Sequence, residues 1–222
     1  MEELYRLDIR SNAFSKCIRF INYEKIQGDI LEFGVYTGRS LALLSYINNK
    51  YYKTENKLNS LDKIKRNIYG FDSFEGLQDT DGHARWEKNM FKYNHSYHPT
   101  IGDNELVTPE KINSFFTEMG LDKPIIRKSF FNNLNMDDID KVGLCHIDCD
   151  LYSSTKEVLN LIKDKLVFGS IIMFDDWFNN LADPDKGEQK AFNEFLHENK
   201  NITAVPFERY ATFCQAFIIH IR

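Results

Sequence analysis

Four aspartates carry the first chemical signal in this chain. Asp148 and Asp150 follow the apolar run that ends Cys145-His146-Ile147, and Asp175 and Asp176 follow a second run, Gly169-Ser170-Ile171-Ile172-Met173-Phe174. About one helix length separates the two pairs. A strand-helix-strand unit in a parallel sheet puts both strand ends at the same edge. The four carboxylates would then converge at the carboxyl edge, where open α/β sheets bind their ligands. Four negative charges in one crevice repel unless a cation joins them, and a hard divalent metal is the first candidate. Plainer readings stand beside this one. Asp150 could cap the helix that follows it, and Asp175-Asp176 could be a polar strand end. His146 shares strand parity with Asp148, and a satisfied core histidine is the reading favoured for it.

A second constellation lies near the start of the chain, at Glu32-Phe33-Gly34-Val35-Tyr36-Thr37-Gly38-Arg39-Ser40. It is a strand end, a glycine-bearing turn and a helix start, the first half of a nucleotide-binding unit. A pyrophosphate-binding turn would carry three glycines in the pattern G-x-G-x-x-G. Here there are two, four apart, and Glu32 would repel an anion. A cationic ligand suits the turn better, and S-adenosylmethionine carries both a sulfonium and an amino group. Gly34 and Gly38 would let the backbone approach that ligand without a Cβ in the way. Asp72, which ends the next strand, is placed to accept both ribose hydroxyls; the plainer reading is that it merely terminates that strand. An NAD- or sugar-nucleotide-binding oxidoreductase on the same layout would need the missing third glycine. A non-catalytic homologue that binds S-adenosylmethionine or a partner would have no use for the full set of acids.

The elements that position these groups alternate along the chain. Residues 11–25 read as an amphipathic helix capped by Ser11, with Phe14, Cys17, Ile18 and Ile21 at helical spacing. A strand follows at 30–35, then a helix carrying Leu41, Leu43, Leu44 and Ile47. Residues 51–66 read as a surface connection, and 68–71 as a short strand. Residues 77–106 show no period and contain His83, Trp86, His95, Tyr97 and His98. Loops of that length inside compact domains are usually functional lids or disordered segments. Its histidines read as solvated, one of them a substitute for Asp150 as a base. Thr108-Pro109 starts a helix that Gly120 ends. Strands at 124–128, 142–147 and 169–174 and helices at 154–165 and 188–198 follow. A terminal hairpin closes the chain at 203–207 and 212–221. Trp177 and Phe178 wall an acceptor pocket or simply pack. The count predicts a doubly wound, Rossmann-like, seven-stranded mixed sheet whose last strand is antiparallel. The whole chain, 1–222, reads as a single domain with a helical segment at 1–27 and a lid at 77–106.

Composition narrows the partners. The chain has 222 residues, 42% hydrophobic and 27% charged, with a net charge of −5 and no Lys/Arg cluster. Nucleic acid and anionic membrane surfaces are therefore poor partners. No apolar run approaches the roughly 18 residues of a spanning helix, and Met1-Glu2-Glu3-Leu4 is no signal peptide. Four cysteines without a C-x-x-C pair read as reduced, buried thiols of a cytoplasmic protein. Self-association is left open.

Glu32-Phe33-Gly34-Val35, Phe71-Asp72-Ser73-Phe74-Glu75-Gly76-Leu77, Ile147-Asp148-Cys149-Asp150-Leu151-Tyr152-Ser153-Ser154-Thr155 and Phe174-Asp175-Asp176 resemble the macrocin O-methyltransferase (TylF/MycF-type) family. Order and approximate spacing match from about residue 28 to 200, and the Asp-x-Asp-Leu-Tyr-x-Ser-Thr string is the most specific part. The resemblance implies a class I, metal-dependent methyltransferase acting on a hydroxyl of a sugar or glycosylated small molecule. It implies Asp148, Asp175 and Asp176 as metal ligands and Asp150 as general base. Glu32, Gly34, Tyr36, Ser40, Asp72 and Ser73 match its cofactor contacts, and Ser129 and Phe130 fall where the adenine is held. Phe33, Gly38 and Asp148 complete the candidate cofactor set. A metal bound by three carboxylates would lower the pKa of the acceptor hydroxyl and hold it in line with the methyl group. Oxygen ligation points to Mg²⁺, with Ca²⁺ or Mn²⁺ as alternatives, over Zn²⁺. Two stretches depart from the family pattern, the short segment before the first strand and residues 77–106. Both would help form the acceptor pocket.

Overall fold

A computed structural model describes residues 1–54, 64–80, 82 and 86–222. Seven strands form one sheet in the order β3-β2-β1-β4-β5-β7-β6. These are β1 (Asp29–Phe33), β2 (Ile68–Asp72), β3 (Ile125–Lys128), β4 (Val142–Ile147), β5 (Leu166–Phe174), β6 (Ile202–Tyr210) and β7 (Cys214–Ile221). β1 to β5 run parallel, and β7 runs antiparallel to both β5 and β6. The expected mixed sheet is therefore present, with its last strand inserted between β5 and β6.

Helices cover both faces because the central strands are apolar on both. On one face lie α2 (Ser11–Tyr23) and α3 (Arg39–Thr54). Phe14, Cys17, Ile18 and Ile21 of α2 pack with Leu43, Leu44 and Ile47 of α3 against Ile30, Leu144, Ile171 and Met173. α4 (Pro109–Glu118) extends that layer through Ile112, Phe115 and Phe116, which meet Val35 and Leu41. On the other face, α5 (Tyr152–Ile162) and α6 (Gly187–Glu198) bury Val158, Leu159, Ile162, Phe192 and Phe195 against Leu31, Phe33, Cys145, Ile147 and Ile172. All four cysteines are buried and free. Among the described residues no helix is long and apolar enough to cross a membrane.

Several local expectations shift. A short helix α1 (Glu2–Leu7) precedes α2. Arg10, not Ser11, sits at the α2 N-cap position, and no side chain caps it. α3 runs through Tyr51 to Thr54, so the expected surface connection begins as helix, while residues 55–63 lie outside the described set. Thr108 does cap α4, accepting from the Lys111 amide. α5 begins two residues early, at Tyr152, with Leu151 in the cap position. Asp150 therefore does not cap it.

Candidate active site

The turn after β1 is built by one close approach and one carboxylate. Gly34 has φ +87°, and a Cβ there would lie 1.8 Å from the Asp148 carbonyl oxygen, so only glycine lets the ends of β1 and β4 meet. Asp72 laces this turn to β2. Its Oδ2 accepts from the Val35 and Tyr36 amides, each at 2.9 Å, and its Oδ1 from the Phe74 amide at 2.7 Å. Burial pushes the Asp72 carboxyl up, and the amides oppose that. Gly38 serves another end: a Cβ there would meet Ile112 of α4 at 2.7 Å.

A cavity of about 460 Å³ opens beside this turn, within the usual range for small-molecule sites. Gly34, Tyr36, Asp72, Ser73, Ser129, Phe130, Asp148 and Asp150 line it. Glu32, Phe33, Gly38 and Ser40, also expected to contact the cofactor, are not among its lining residues. Phe33 stacks on Phe71 in the core with ring centroids 4.6 Å apart, and Ser40 is buried in the first turn of α3.

The carboxylates lie where β4 and β5 end. Strand alternation and the register Glu32↔His146↔Met173 turn Glu32, His146, Asp148 and Asp175 toward α2. His146 is fully buried. Its Nδ1 donates to Glu32 Oε1 at 2.8 Å, and its Nε2 lies 3.4 Å from Asp175 Oδ1. It is thus a core residue and part of the site at once. Asp175 Oδ1 also accepts from Cys214 Sγ. One donor atom each from His146, Asp148 and Asp175 lie within 4.8 Å of one another. Asp176 faces the other way: it accepts from Asn179 Nδ2, its amide donates to Glu188, and its carboxylate pushes the Asp150 carboxyl up. The expected trio of Asp148, Asp175 and Asp176 is thus divided between two sides of the sheet edge. Asp150 itself has φ +62°, a left-handed conformation that marks stored strain in a non-glycine residue.

Charge is concentrated here. Burial first, then neighbouring carboxylates, push Asp148, Asp150 and Glu188 well above the usual range. Burial acts on Asp175 too, but His146 and Arg10 outweigh it and bring Asp175 down to about 2. Burial lowers His146, while Asp175 and Glu32 together carry it to about 10. Arg10, held by Asp8 through two 3.1 Å bonds, approaches Asp148 Oδ2 to 3.8 Å. Two buried oxygens, Glu32 Oε2 and Glu188 Oε1, have no hydrogen-bond partner among the described residues. Buried acceptors left so are costly, and a crevice of this sign favours a cation. The donor set fits a divalent ion, and the cavity fits a nucleoside-sized ligand.

Arg10 and Glu188 escaped the sequence reading. For Glu188 a signal existed, since it lies four residues before Phe192 on the buried face of α6, where an acid is out of place. Arg10 precedes its helix with no pattern to mark it.

Residues 77–106 are folded rather than loose where described. Gly76 turns at φ +75°, with Asn89 and Met90 carbonyls 2.6 Å from where a Cβ would be. Buried Asn94 donates to the Ile101 carbonyl at 2.8 Å. The Tyr36 hydroxyl donates to the Tyr93 carbonyl and accepts from the His95 amide. His98, expected in solvent, is buried against Phe115 with ring centroids 4.5 Å apart. Its Nδ1 accepts from the Ile101 amide at 3.1 Å. Burial, then Arg39, lower it to about 4. His83 lies outside the described residues. Trp177 packs on Phe174 at 5.0 Å in the core, and Phe178 lies under Arg209.

A seven-stranded sheet in this order, with a ligand cavity at the carboxyl ends of β1, β2 and β4, is the class I methyltransferase fold. The family model for macrocin-O-methyltransferase (TylF) matches residues 8–214, and the chain belongs to that family. It is 25% identical over 173 residues to demethyldecarbamoylnovobiocin O-methyltransferase of Streptomyces niveus, covering 76% of this chain and 60% of that protein. The chain thus spans about 60% of the length of that curated relative. Among solved structures it resembles the O-methyltransferase NovP, with a TM-score of 0.69 and 18% identity over 95% of this chain and 79% of that one. A calicheamicin methyltransferase follows at TM-score 0.59 and 21% identity, covering 93% and 77% of the two chains.

Proposed function

We propose that this chain is an S-adenosylmethionine-dependent O-methyltransferase acting on a hydroxyl of a sugar or glycosylated small molecule, with a divalent cation at the acidic edge. The observation that carries the reading is Asp148, which lines the cofactor-sized cavity and also belongs to the group of donors that could hold a cation. One residue at the boundary of both would set donor and acceptor side by side. The acceptor class rests on kinship. The relatives named above are a demethyldecarbamoylnovobiocin O-methyltransferase and the calicheamicin methyltransferase CalS11, which a second structure describes as a TDP-rhamnose 3'-O-methyltransferase.

When bound, S-adenosylmethionine would supply an electrophilic methyl group, and the cation would lower the pKa of the acceptor hydroxyl. Gly34, Tyr36, Asp72 and Ser73 would hold the donor against the sheet edge, with Ser129 and Phe130 on the adenine side. Asp148 and Asp175 would hold the cation, with Asp176 available from the other side of the edge. Asp150, turned by its left-handed backbone into the cavity wall, would accept the hydroxyl proton, and the neighbouring carboxylates that raise its pKa would make it a better base. A well-placed base of this kind accelerates transfer by typically about 10²–10⁴-fold.

Calorimetric titration with S-adenosylhomocysteine and with NAD tests the cofactor, and binding of NAD alone would overturn the reading. Methyl transfer to a nucleotide sugar, assayed with EDTA and in the Asp148→Ala variant, tests the cation. Transfer is expected to be lost in both, and undiminished turnover in both would sink the metal role.

A further inference from the structure

We propose that His146 is itself a ligand of the divalent cation, beside Asp148 and Asp175, and that the site therefore favours a transition ion over Mg²⁺. The inference deepens the cation reading above and rests on it.

Geometry selects the trio. The donor atoms of His146, Asp148 and Asp175 lie within 4.8 Å of one another. Bonds of about 2.0–2.2 Å from a metal to imidazole nitrogen and carboxylate oxygen keep two ligands no more than roughly 4.4 Å apart, so a few tenths of an ångström of side-chain adjustment closes the site. Asp176, by contrast, is engaged with Asn179 and, through its amide, with Glu188 on the opposite side of the edge.

The ring of His146 is set as a ligand's would be. Nδ1 is committed to Glu32 Oε1 at 2.8 Å, which leaves Nε2 as the ring's second valence. Nε2 lies 3.4 Å from Asp175 Oδ1, longer than the roughly 2.7–3.2 Å of a good N–H···O bond. One ion between them would satisfy both atoms. Phe14 fixes the ring edge-on at 5.0 Å. A carboxylate on the far nitrogen of a metal-bound histidine is the recurring outer shell of such sites, where it orients the ring and raises its basicity. Glu32 occupies that place, fully buried, with Oε2 lacking a hydrogen-bond partner among the described residues.

The chemical class follows from the ligands. Mg²⁺ demands a near-octahedral oxygen shell and sheds water reluctantly. An imidazole beside two carboxylates favours Fe²⁺, Co²⁺ or Zn²⁺ over Mg²⁺, and Mn²⁺, a harder transition ion, serves as the paramagnetic probe.

Pulsed electron paramagnetic resonance on the full chain with Mn²⁺, without cofactor, tests this. The wild type is expected to bind Mn²⁺ with the nitrogen coupling of a directly bound imidazole. His146→Gln should lose that coupling, and Asp150→Asn should keep it. Glu32→Gln should weaken Mn²⁺ binding by about 10–100-fold, as loss of an outer-shell partner does. Bound Mn²⁺ without nitrogen coupling overturns the ligand assignment and leaves the cation reading standing. A wild type that binds no Mn²⁺ or Mg²⁺ ends both. The wild-type spectrum decides even if His146→Gln does not fold.

Discussion

Asp150 and Gly34 show how single residues serve the site at a cost to the fold. Asp150 sits at φ +62° among Asp148, Asp175 and Asp176, so both its backbone and its charge oppose folding. Asn tolerates the left-handed region as well as Asp does and carries no charge. Asp150→Asn is therefore expected to raise stability by about 1 kcal/mol, in the manner of other relieved functional sites, in chemical denaturation. The same change should lower methyl transfer by about 10²–10⁴-fold with S-adenosylhomocysteine still bound. A variant that keeps full activity would remove Asp150 from the role of base. Gly34 has the opposite character. An alanine there would meet the Asp148 carbonyl at 1.8 Å in a φ +87° conformation, which by itself costs an L-residue about 1–2 kcal/mol. Gly34→Ala should lower the melting temperature and weaken S-adenosylhomocysteine binding together, because relief requires β1 and β4 to separate at the cavity.

The segment from Leu77 to Leu106 acts as an element although it has no helix or strand among its described residues. Its anchor is Tyr36, whose hydroxyl bridges the Tyr93 carbonyl and the His95 amide. Tyr36→Phe removes two hydrogen bonds worth about 0.5–1.5 kcal/mol each. Faster amide exchange is expected at His95, with exchange in β4 unchanged. A second anchor is His98. Its folded value of about 4 lies below its ordinary 6.5, so between those values the unfolded segment binds the extra proton. The contribution of His98 to stability is complete above pH 6.5 and is lost as pH falls toward 4. Proteolysis of residues 86–106 should accelerate across that window, and His98→Asn should flatten the response. An unchanged pH profile in that variant would exclude His98 as the cause.

Across the molecule, the acidic edge is where packing and function pull apart. Glu32, Asp148, Asp150, Asp175, Asp176 and Glu188 gather there against Arg10 and His146. Buried like charges oppose the compact state unless a cation joins them. A divalent ion should therefore stabilise the whole chain. At one hundred times its dissociation constant, binding adds about 2.7 kcal/mol. Differential scanning calorimetry with and without Mn²⁺ would read this as a rise in melting temperature that Asp148→Asn abolishes.

The seven strands, the paired acids and the glycine turn were legible in the amino-acid order, because strand alternation and helical spacing are local and repeat within a few residues. Asp148 and Asp150 at the end of β4 and Asp72 at the end of β2 needed no coordinates to be placed at one edge. The same pattern could not say that Asp72 spends its oxygens on the amides of Val35, Tyr36 and Phe74. Nor could it say that Asp176 turns from Asp175, or that Glu188 and Arg10 come in from distant segments. Those outcomes depend on which side of a strand end each group leaves and on what α2 and α6 bring against it. Parity alone put His146 on the side of Asp148. Its partnership with Glu32, 114 residues away, exists because β1 and β4 are neighbours in the folded sheet.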